Sequence, residues 1–221
     1  MRYWPPHADS ALQQMVRQGI NRITALPLYP HYSRATTGSS LKDLHRHLEK
    51  LGSGVDLTVI SSYPTQPSYI KALVENINEG LKTFNGAEVE IVYSAHSLPV
   101  SFIEEGDPYV DHLQRTIAAV EKITGVQGRI CYQSRSGPVE WLSTSTPETI
   151  KSLGDKDCTN ILMVPISFVS VHVETLVEIN MDYKELAAGY GIRLETTASF
   201  NDDPDFIEAL KDIVLQALHK E

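Results

Sequence analysis

Apolar positions along the chain follow two alternating rhythms, one helical and one extended. Leu12, Met15 and Val16 share a face of a helix that Asp9 or Ser10 can cap and that would run to Gly19. The short apolar run Ile23–Leu28 follows as a strand and gives way to the polar loop Tyr29-Pro30-His31-Tyr32-Ser33. Ser39 or Ser40 can cap the next helix, which stops at Gly52. Leu57–Ile60 reads as a strand, and a long helix starts near Pro67, where proline suits a first helical turn, and ends near Gly86.

The second half repeats the rhythm. Val89–Tyr93 is a strand, Asp111–Ile123 a helix, Arg129–Tyr132 a short strand, and Thr146 opens a brief helix. Asn160–Ile166 is the most apolar strand, and a helix from about Val173 to Ala188 ends at Gly189. Ile192–Thr196 is a further strand, and Asp203 caps a final amphipathic helix. Strands that alternate with helices predict an α/β fold of parallel sheets flanked by helices. In such folds ligands bind beyond the carboxyl ends of the strands, so that is where chemistry is sought.

Composition narrows the picture. At 221 residues, with 42% hydrophobic and 21% charged, the chain is long enough for one large or two modest α/β domains. A net charge of −9 with no basic stripe argues against a nucleic-acid partner, while acidic residues gathered in one cleft could attract a metal ion. Cys131 and Cys158 are too few and too far apart for a disulfide framework or a cysteine metal motif, which fits a reducing compartment. The longest apolar run, Ile161–Val173, is interrupted by Pro165 and His172, and the first residues lack signal-peptide character. The expectation is a cytoplasmic location, with room for peripheral contact at a membrane surface.

Two strands end in histidines. Val89–Tyr93 runs into Ser94-Ala95-His96-Ser97-Leu98-Pro99, and Asn160–Ile166 leads through Ser167-Phe168-Val169-Ser170 to Val171-His172-Val173-Glu174. A lone histidine is more often structural, but two at equivalent strand ends point to a site. Glu174, Glu178 and Asp182, at four-residue spacing, fall on one face of the expected helix. Their mutual repulsion is only about 0.2–0.5 kcal/mol per pair, which a helix tolerates; taken alone a solvated face is the favoured reading, though a cation pathway would also explain them. Thr36–Ser40 reads equally as a helix cap or as a loop holding an anion on backbone amides. Tyr109, in the turn Gly106-Asp107-Pro108-Tyr109, can face a pocket or pack, and Trp141 can anchor the core or wall a large flat ligand.

Taken in order, these segments resemble the ferrochelatase family. The match runs through Tyr29-Pro30-His31-Tyr32-Ser33, Thr36-Thr37-Gly38-Ser39-Ser40, Ser94-Ala95-His96-Ser97-Leu98-Pro99 and Gly106-Asp107-Pro108-Tyr109. It continues with Gln133-Ser134-Arg135, Gly137-Pro138, Trp141-Leu142, His172-Val173-Glu174-Thr175-Leu176 and Asn201-Asp202-Asp203-Pro204. Each segment alone is weak, but their order and spacing are specific.

The resemblance implies an enzyme that inserts ferrous iron into protoporphyrin IX, or a close relative of it, to make haem. Its fold would be two Rossmann-like, chelatase-type domains. Residues 1–87 would form a partial N-terminal domain and 88–221 the C-terminal one, with the last helix, about 203–219, packing back on the first. His96 and Glu174 would be catalytic and meet the metal from opposite sides of the porphyrin centre, and Glu178 and Asp182 would continue a path for metal or protons. Arg2, Tyr3, Tyr109 and Trp141 match positions in or near the porphyrin cleft. The residue types suit the chemistry: an imidazole accepts protons near neutrality, carboxylates bind Fe²⁺ without trapping it, and rigid aromatic walls can bend a macrocycle. Iron is then a substrate, and no permanent metal cofactor is expected.

Several departures bear on this. Where the family usually has an acidic residue before the histidine of the His-x-Glu motif, this chain has Val171, and an aspartate further along is Asn180. Arg34 and Ala35 occupy the loop where some relatives place a cluster-binding cysteine, and the C-terminus has no cysteines, so no iron–sulfur cluster is expected. Family members begin with further strand–helix units, so the N-terminal domain is expected to be incomplete and the cleft to lack one wall. Two other readings share the motifs: a cobalt or nickel chelatase of a related tetrapyrrole, and an inactive porphyrin- or haem-binding fragment. The Gly-Asp-Pro-Tyr and Gln-Ser-Arg segments favour the haem branch. No feature of the sequence fixes an oligomeric state.

Overall fold

The computed structural model describes Pro5 and residues 7–52 and 54–219. Six strands and eight α-helices alternate among them, and all strand pairs are parallel. β1 (Arg22–Ala25) pairs with β2 (Asp56–Val59) in a two-stranded sheet. A second sheet has the order β4 (Gly128–Gln133), β3 (Glu90–His96), β5 (Asn160–Pro165), β6 (Arg193–Thr196). The two central strands of that sheet, β3 and β5, are nearly continuous in buried residues, as a strand covered on both faces must be.

Two apolar clusters fill the faces of the larger sheet. One packs Ile91, Tyr93, Ala95, Leu162 and Val164 against α3 (Pro67–Lys82), α5 (Tyr109–Thr124) and α8 (Pro204–Leu218). The other packs Val92, Cys131, Ile161 and Met163 against α6 (Thr146–Gly154), the helical segment Thr175–Tyr183 and α7 (Lys184–Gly189). Odd and even positions of β3 thus serve opposite faces. The last helix, α8, lies along α3, with Asp212 accepting a hydrogen bond from Ser68. Asp203 caps it, as expected, by accepting from the amides of Asp205 and Phe206.

Several element ends differ from the sequence reading, each for a local reason. α1 (Ala8–Arg17) starts ahead of Asp9 and Ser10, and Ser10 donates back to the carbonyl of His7 instead of capping. The helix α2 (Ser39–Leu51) is preceded by a π-helical turn, Arg34–Gly38, so the cap is Ser33, whose hydroxyl accepts from Ala35 N at 3.1 Å. Ser39 therefore lies inside a helical run and donates to the carbonyls of Ala35 and Thr36. This removes the anion-binding reading of Thr36–Ser40, because the segment is not a helix start. The long helix α3 stops at Lys82, and the chain turns through Asn85 and Gly86, both at positive φ. A short helix, α4 (Val100–Glu104), follows β3 where the sequence pattern predicts no element.

Candidate functional site

β3 extends three residues beyond its expected end, so His96 is the last residue of a central strand. Its backbone is fixed on both sides: His96 N donates to Ser167 Oγ at 3.0 Å, and Tyr109 OH donates to His96 O at 3.0 Å. The ring stands over a cavity of about 640 Å³ bounded by the loops after β1, β3 and β5. His31, Leu98, Tyr109, Phe168, His172 and Glu174 line it. That volume is ordinary for a ligand pocket, and the location beyond the carboxyl ends of the strands is where the fold places ligands.

Glu174 reaches the same cavity from the start of the helix after β5. His96 Nδ1 lies 3.2 Å from Glu174 Oε2, and the two side chains are 39% and 37% exposed. A carboxylate can only accept, so Nδ1 carries the hydrogen, and in the neutral ring Nε2 keeps its lone pair. In this structure the two side chains are in direct contact, with no gap between them.

The expected α-helix over Val173–Ala188 is π-helical from Thr175 to Tyr183. Its i→i+5 bonding changes how residues four apart face one another, and such insertions recur at functional sites. The three carboxylates consequently have three different surroundings. Glu174 meets His96. Glu178 turns to the end of β4, where Ser134 Oγ donates to it at 2.9 Å and Tyr183 OH at 3.3 Å. Asp182 is exposed. Neither Glu178 nor Asp182 lines the cavity, and among the described residues no three His, Cys, Asp or Glu side chains gather closely enough to hold a metal ion.

Tyr109 is buried and lines the cavity, so it both packs and faces the pocket. Burial raises its phenol pKa, which keeps it a neutral donor to His96 O. Trp141 is half-buried outside the cavity: the loop after β4 pairs antiparallel with the segment after His96 through Pro99 and Trp141. Arg2 and Tyr3 lie outside the described residues. Cys131, its thiol pushed up to about 11 by burial, and Cys158 are free and do not line the cavity.

Other motif residues build the frame. Buried Asp107 accepts from Ser33 Oγ at 3.0 Å, Arg34 N at 2.8 Å and Tyr109 N at 3.1 Å, latching the loop after β1 to the start of α5. Gln133 accepts from Ser94 Oγ at 2.6 Å, and Arg135 donates to Leu142 O at 2.7 Å. Phe168 sits edge-on to His96, with centroids 6.3 Å apart, and 4.6 Å from the ring of His172. His31 and Phe168 are cavity residues that the sequence reading did not assign to the site, although each follows a strand and His31 lies in a segment that carries the family resemblance.

The family model described as Ferrochelatase matches residues 1–218. The chain belongs to the ferrochelatase family. It is 55% identical over 217 residues to the ferrochelatase of Desulfotalea psychrophila, covering 98% of this chain and 68% of that protein. It is 49% identical over 220 residues to the ferrochelatase of Geobacter metallireducens, covering 98% of this chain and 69% of that one. Among solved structures it resembles SirB from Bacillus subtilis with Fe³⁺, at a TM-score of 0.70 and 14% identity, covering 97% of this chain and 78% of SirB. A cobalt complex of the sirohydrochlorin chelatase SirB from B. subtilis subspecies spizizenii gives a TM-score of 0.66 at 13% identity, covering 98% of this chain and 78% of that one. At such identity the likeness concerns the α/β fold of parallel sheets flanked by helices. No helix among the described residues is long and apolar enough to cross a membrane.

Proposed function

We propose that the cavity under His96 binds a metal-free porphyrin and that this ferrochelatase-family chain inserts Fe²⁺ into it, forming haem. The observation that carries this reading is the His96–Glu174 contact at the rim of a cavity otherwise lined largely by apolar and aromatic side chains. Leu28 and Tyr29, about half exposed at 52% and 47%, extend that lining outward and would cover a large flat ligand.

Insertion breaks two pyrrole N–H bonds and forms four nitrogen–iron bonds as the ion sheds its water. With Nδ1 donating to Glu174, His96 Nε2 accepts a pyrrole proton, and the Glu174 carboxylate stabilises the resulting imidazolium. Both side chains are more than a third exposed, so the proton leaves to solvent and the pair resets for the second. Glu174 also offers a hard oxygen to the arriving ion, which a ring nitrogen then replaces. Tyr109 and Ser167 hold the backbone of His96 and so fix where its ring points.

Glu178 and Asp182 follow on the same helix and would form the outer, acidic approach. Glu178 would first have to release Ser134 and Tyr183. The assignment of Arg2, Tyr3 and Trp141 to the porphyrin cleft, and of the chain to two domains meeting near residue 87, rests on the family resemblance. So does turnover without an iron–sulfur cluster or other resident cofactor. Free thiols fit a cytoplasmic location, and an apolar substrate fits peripheral contact with a membrane.

The test is anaerobic. The purified chain is mixed with protoporphyrin and Fe²⁺, and loss of metal-free porphyrin fluorescence is followed beside His96→Ala. Turnover that vanishes in the variant is expected. Stoichiometric spectral change without turnover would favour a binding fragment, and preference for Co²⁺ or another tetrapyrrole would favour a related chelatase.

A further inference from the structure

Leu28 and Tyr29 form the outer wall of the cavity, yet both are about half exposed, so burial alone does not hold them there. The segment that carries them, residues 27–30, runs between two fixed points: Leu26 packs against the core, and His31 is buried against Thr116. Pro27 and Pro30 restrict its backbone but offer no N–H, so few hydrogen bonds can set its path. Tyr63, in the loop after β2, makes two. Its phenol O–H donates to Leu28 O at 2.6 Å, and its N–H donates to Pro30 O at 2.9 Å. A carbonyl can only accept, so both directions are fixed. The two bonds bracket Tyr29. Among the described residues, Tyr63 is the one hydrogen-bond partner of residues 27–30.

The donor itself is firmly seated. Tyr63 is 5% exposed, and its ring meets that of Tyr69 edge-on at 5.5 Å within the core cluster shared by α3 and α8. Three residues earlier, Ile60 N donates to Ala25 O at 3.0 Å, which continues the pairing of β1 with β2 into the two loops. Burial raises the phenol pKa, so the O–H persists through the pH range of an assay. Tyr63 does not line the cavity, and the bonds that orient His96 come from Ser167, Tyr109 and Glu174 instead.

We propose that Tyr63 is a positioning residue for porphyrin binding, its phenol holding the Leu28–Tyr29 wall in place at the cavity. It touches neither the substrate nor the reacting atoms and acts only through the wall. Without the phenol O–H, Leu28 O turns to water and the wall takes a wider range of positions, which a bound ligand must then restrict. The effect falls on affinity, while the His96–Glu174 pair stays where it is. The inference rests on the reading of this cavity as a porphyrin site.

The experiment uses the full chain and two readouts, porphyrin affinity by fluorescence titration and anaerobic iron insertion. Tyr63→Phe keeps the ring and removes one donor. It is expected to raise the porphyrin Kd and KM about fivefold, within what one intramolecular hydrogen bond carries, and to leave kcat and the Fe²⁺ KM within about twofold. A merely structural tyrosine would lower the denaturant midpoint and leave Kd unchanged. That result overturns the proposal, as does a fall in kcat at unchanged Kd. The double variant Leu28→Ala, Tyr29→Ala, at exposed positions, is expected to bind porphyrin more weakly. Binding as tight as the parent's would leave no wall to position and would overturn the proposal, whether or not Tyr63→Phe folds. Added to that double variant, Tyr63→Phe is expected to have no further effect; a loss of about fivefold that persists there means that the hydroxyl acts by another route, and overturns it. No porphyrin binding by the parent chain overturns the porphyrin reading and this inference with it. Parent binding that Tyr63→Phe leaves unchanged overturns this inference alone.

Discussion

Asp107 is the latch on which the cavity depends, and its removal has a calculable effect. Its two oxygens accept from Ser33 Oγ, Arg34 N and Tyr109 N, and the two amides are the first of their helical segments. Hydrogen bonds to an ionised partner contribute roughly 1.5–3 kcal/mol each, and a lost helix cap about 0.5–2 kcal/mol. In Asp107→Ala, water can reach part of the vacated space, because Arg34 and Ser33 border the cavity loop. The three losses should therefore sum to about 2–4 kcal/mol rather than the full figure. Asp107→Asn keeps one acceptor oxygen and should lose about half of that. Urea unfolding followed by circular dichroism and by tryptophan fluorescence gives the difference, provided the two transitions coincide. Hydrogen exchange then locates it: the amides of Arg34 and Tyr109 should exchange faster while those of β3 and β5 stay protected. An alanine variant within about 1 kcal/mol of the parent, or unchanged exchange at those two amides, would refute the latch. The same loop carries Leu28, Tyr29 and His31 to the cavity, so porphyrin KM should rise in the alanine variant.

Three further outcomes follow from the same contacts. Tyr109→Phe removes the donor to His96 O and should lower stability by about 1 kcal/mol and kcat more than KM; equal kinetics in both forms would show that the hydroxyl does not orient His96. His31 binds a proton at about pH 6.5 when unfolded and at about 3 when folded, so stability should fall as pH drops through that window, by at most about 1.4 kcal/mol per unit. Burial lowers His112 in the same direction, and denaturant midpoints at pH 7.5 and 5 should converge in His31→Gln relative to the parent; an unchanged acid slope would contradict this. Glu178→Ala leaves the hydroxyls of Ser134 and Tyr183 without their acceptor and should destabilise by about 1–3 kcal/mol, with faster exchange confined to the π-helical segment. Global exchange changes would argue against a local clamp.

Much of this was legible in the residues. Alternating strand and helix patterns gave the parallel α/β fold, and the Asp203 cap and the Gly52 stop fall where their chemistry requires. The strand-end rule brought His96 and Glu174 forward, and they meet at 3.2 Å. What was not legible came from contacts distant in sequence. Nothing local marks Ser33 as a cap over Ser39, because the preference is decided by Asp107, 74 residues away. The π-helical winding of Thr175–Tyr183 has no composition signal, yet it separates carboxylates that a regular helix would align. His31 stands in a loop that is polar by sequence, and its burial against Thr116, 85 residues on, has no local signal.

The central claim is that His96 and Glu174 act as one unit on the porphyrin and the ion. The most direct measurement is anaerobic iron insertion by the parent chain, His96→Ala, Glu174→Gln and the double variant. If the pair is a unit, each single change should remove most of the activity, and the double should cost no more than the worse single. Full activity in either single, or losses that simply multiply in the double, would mean that the contact between them is structural and that the chemistry lies elsewhere.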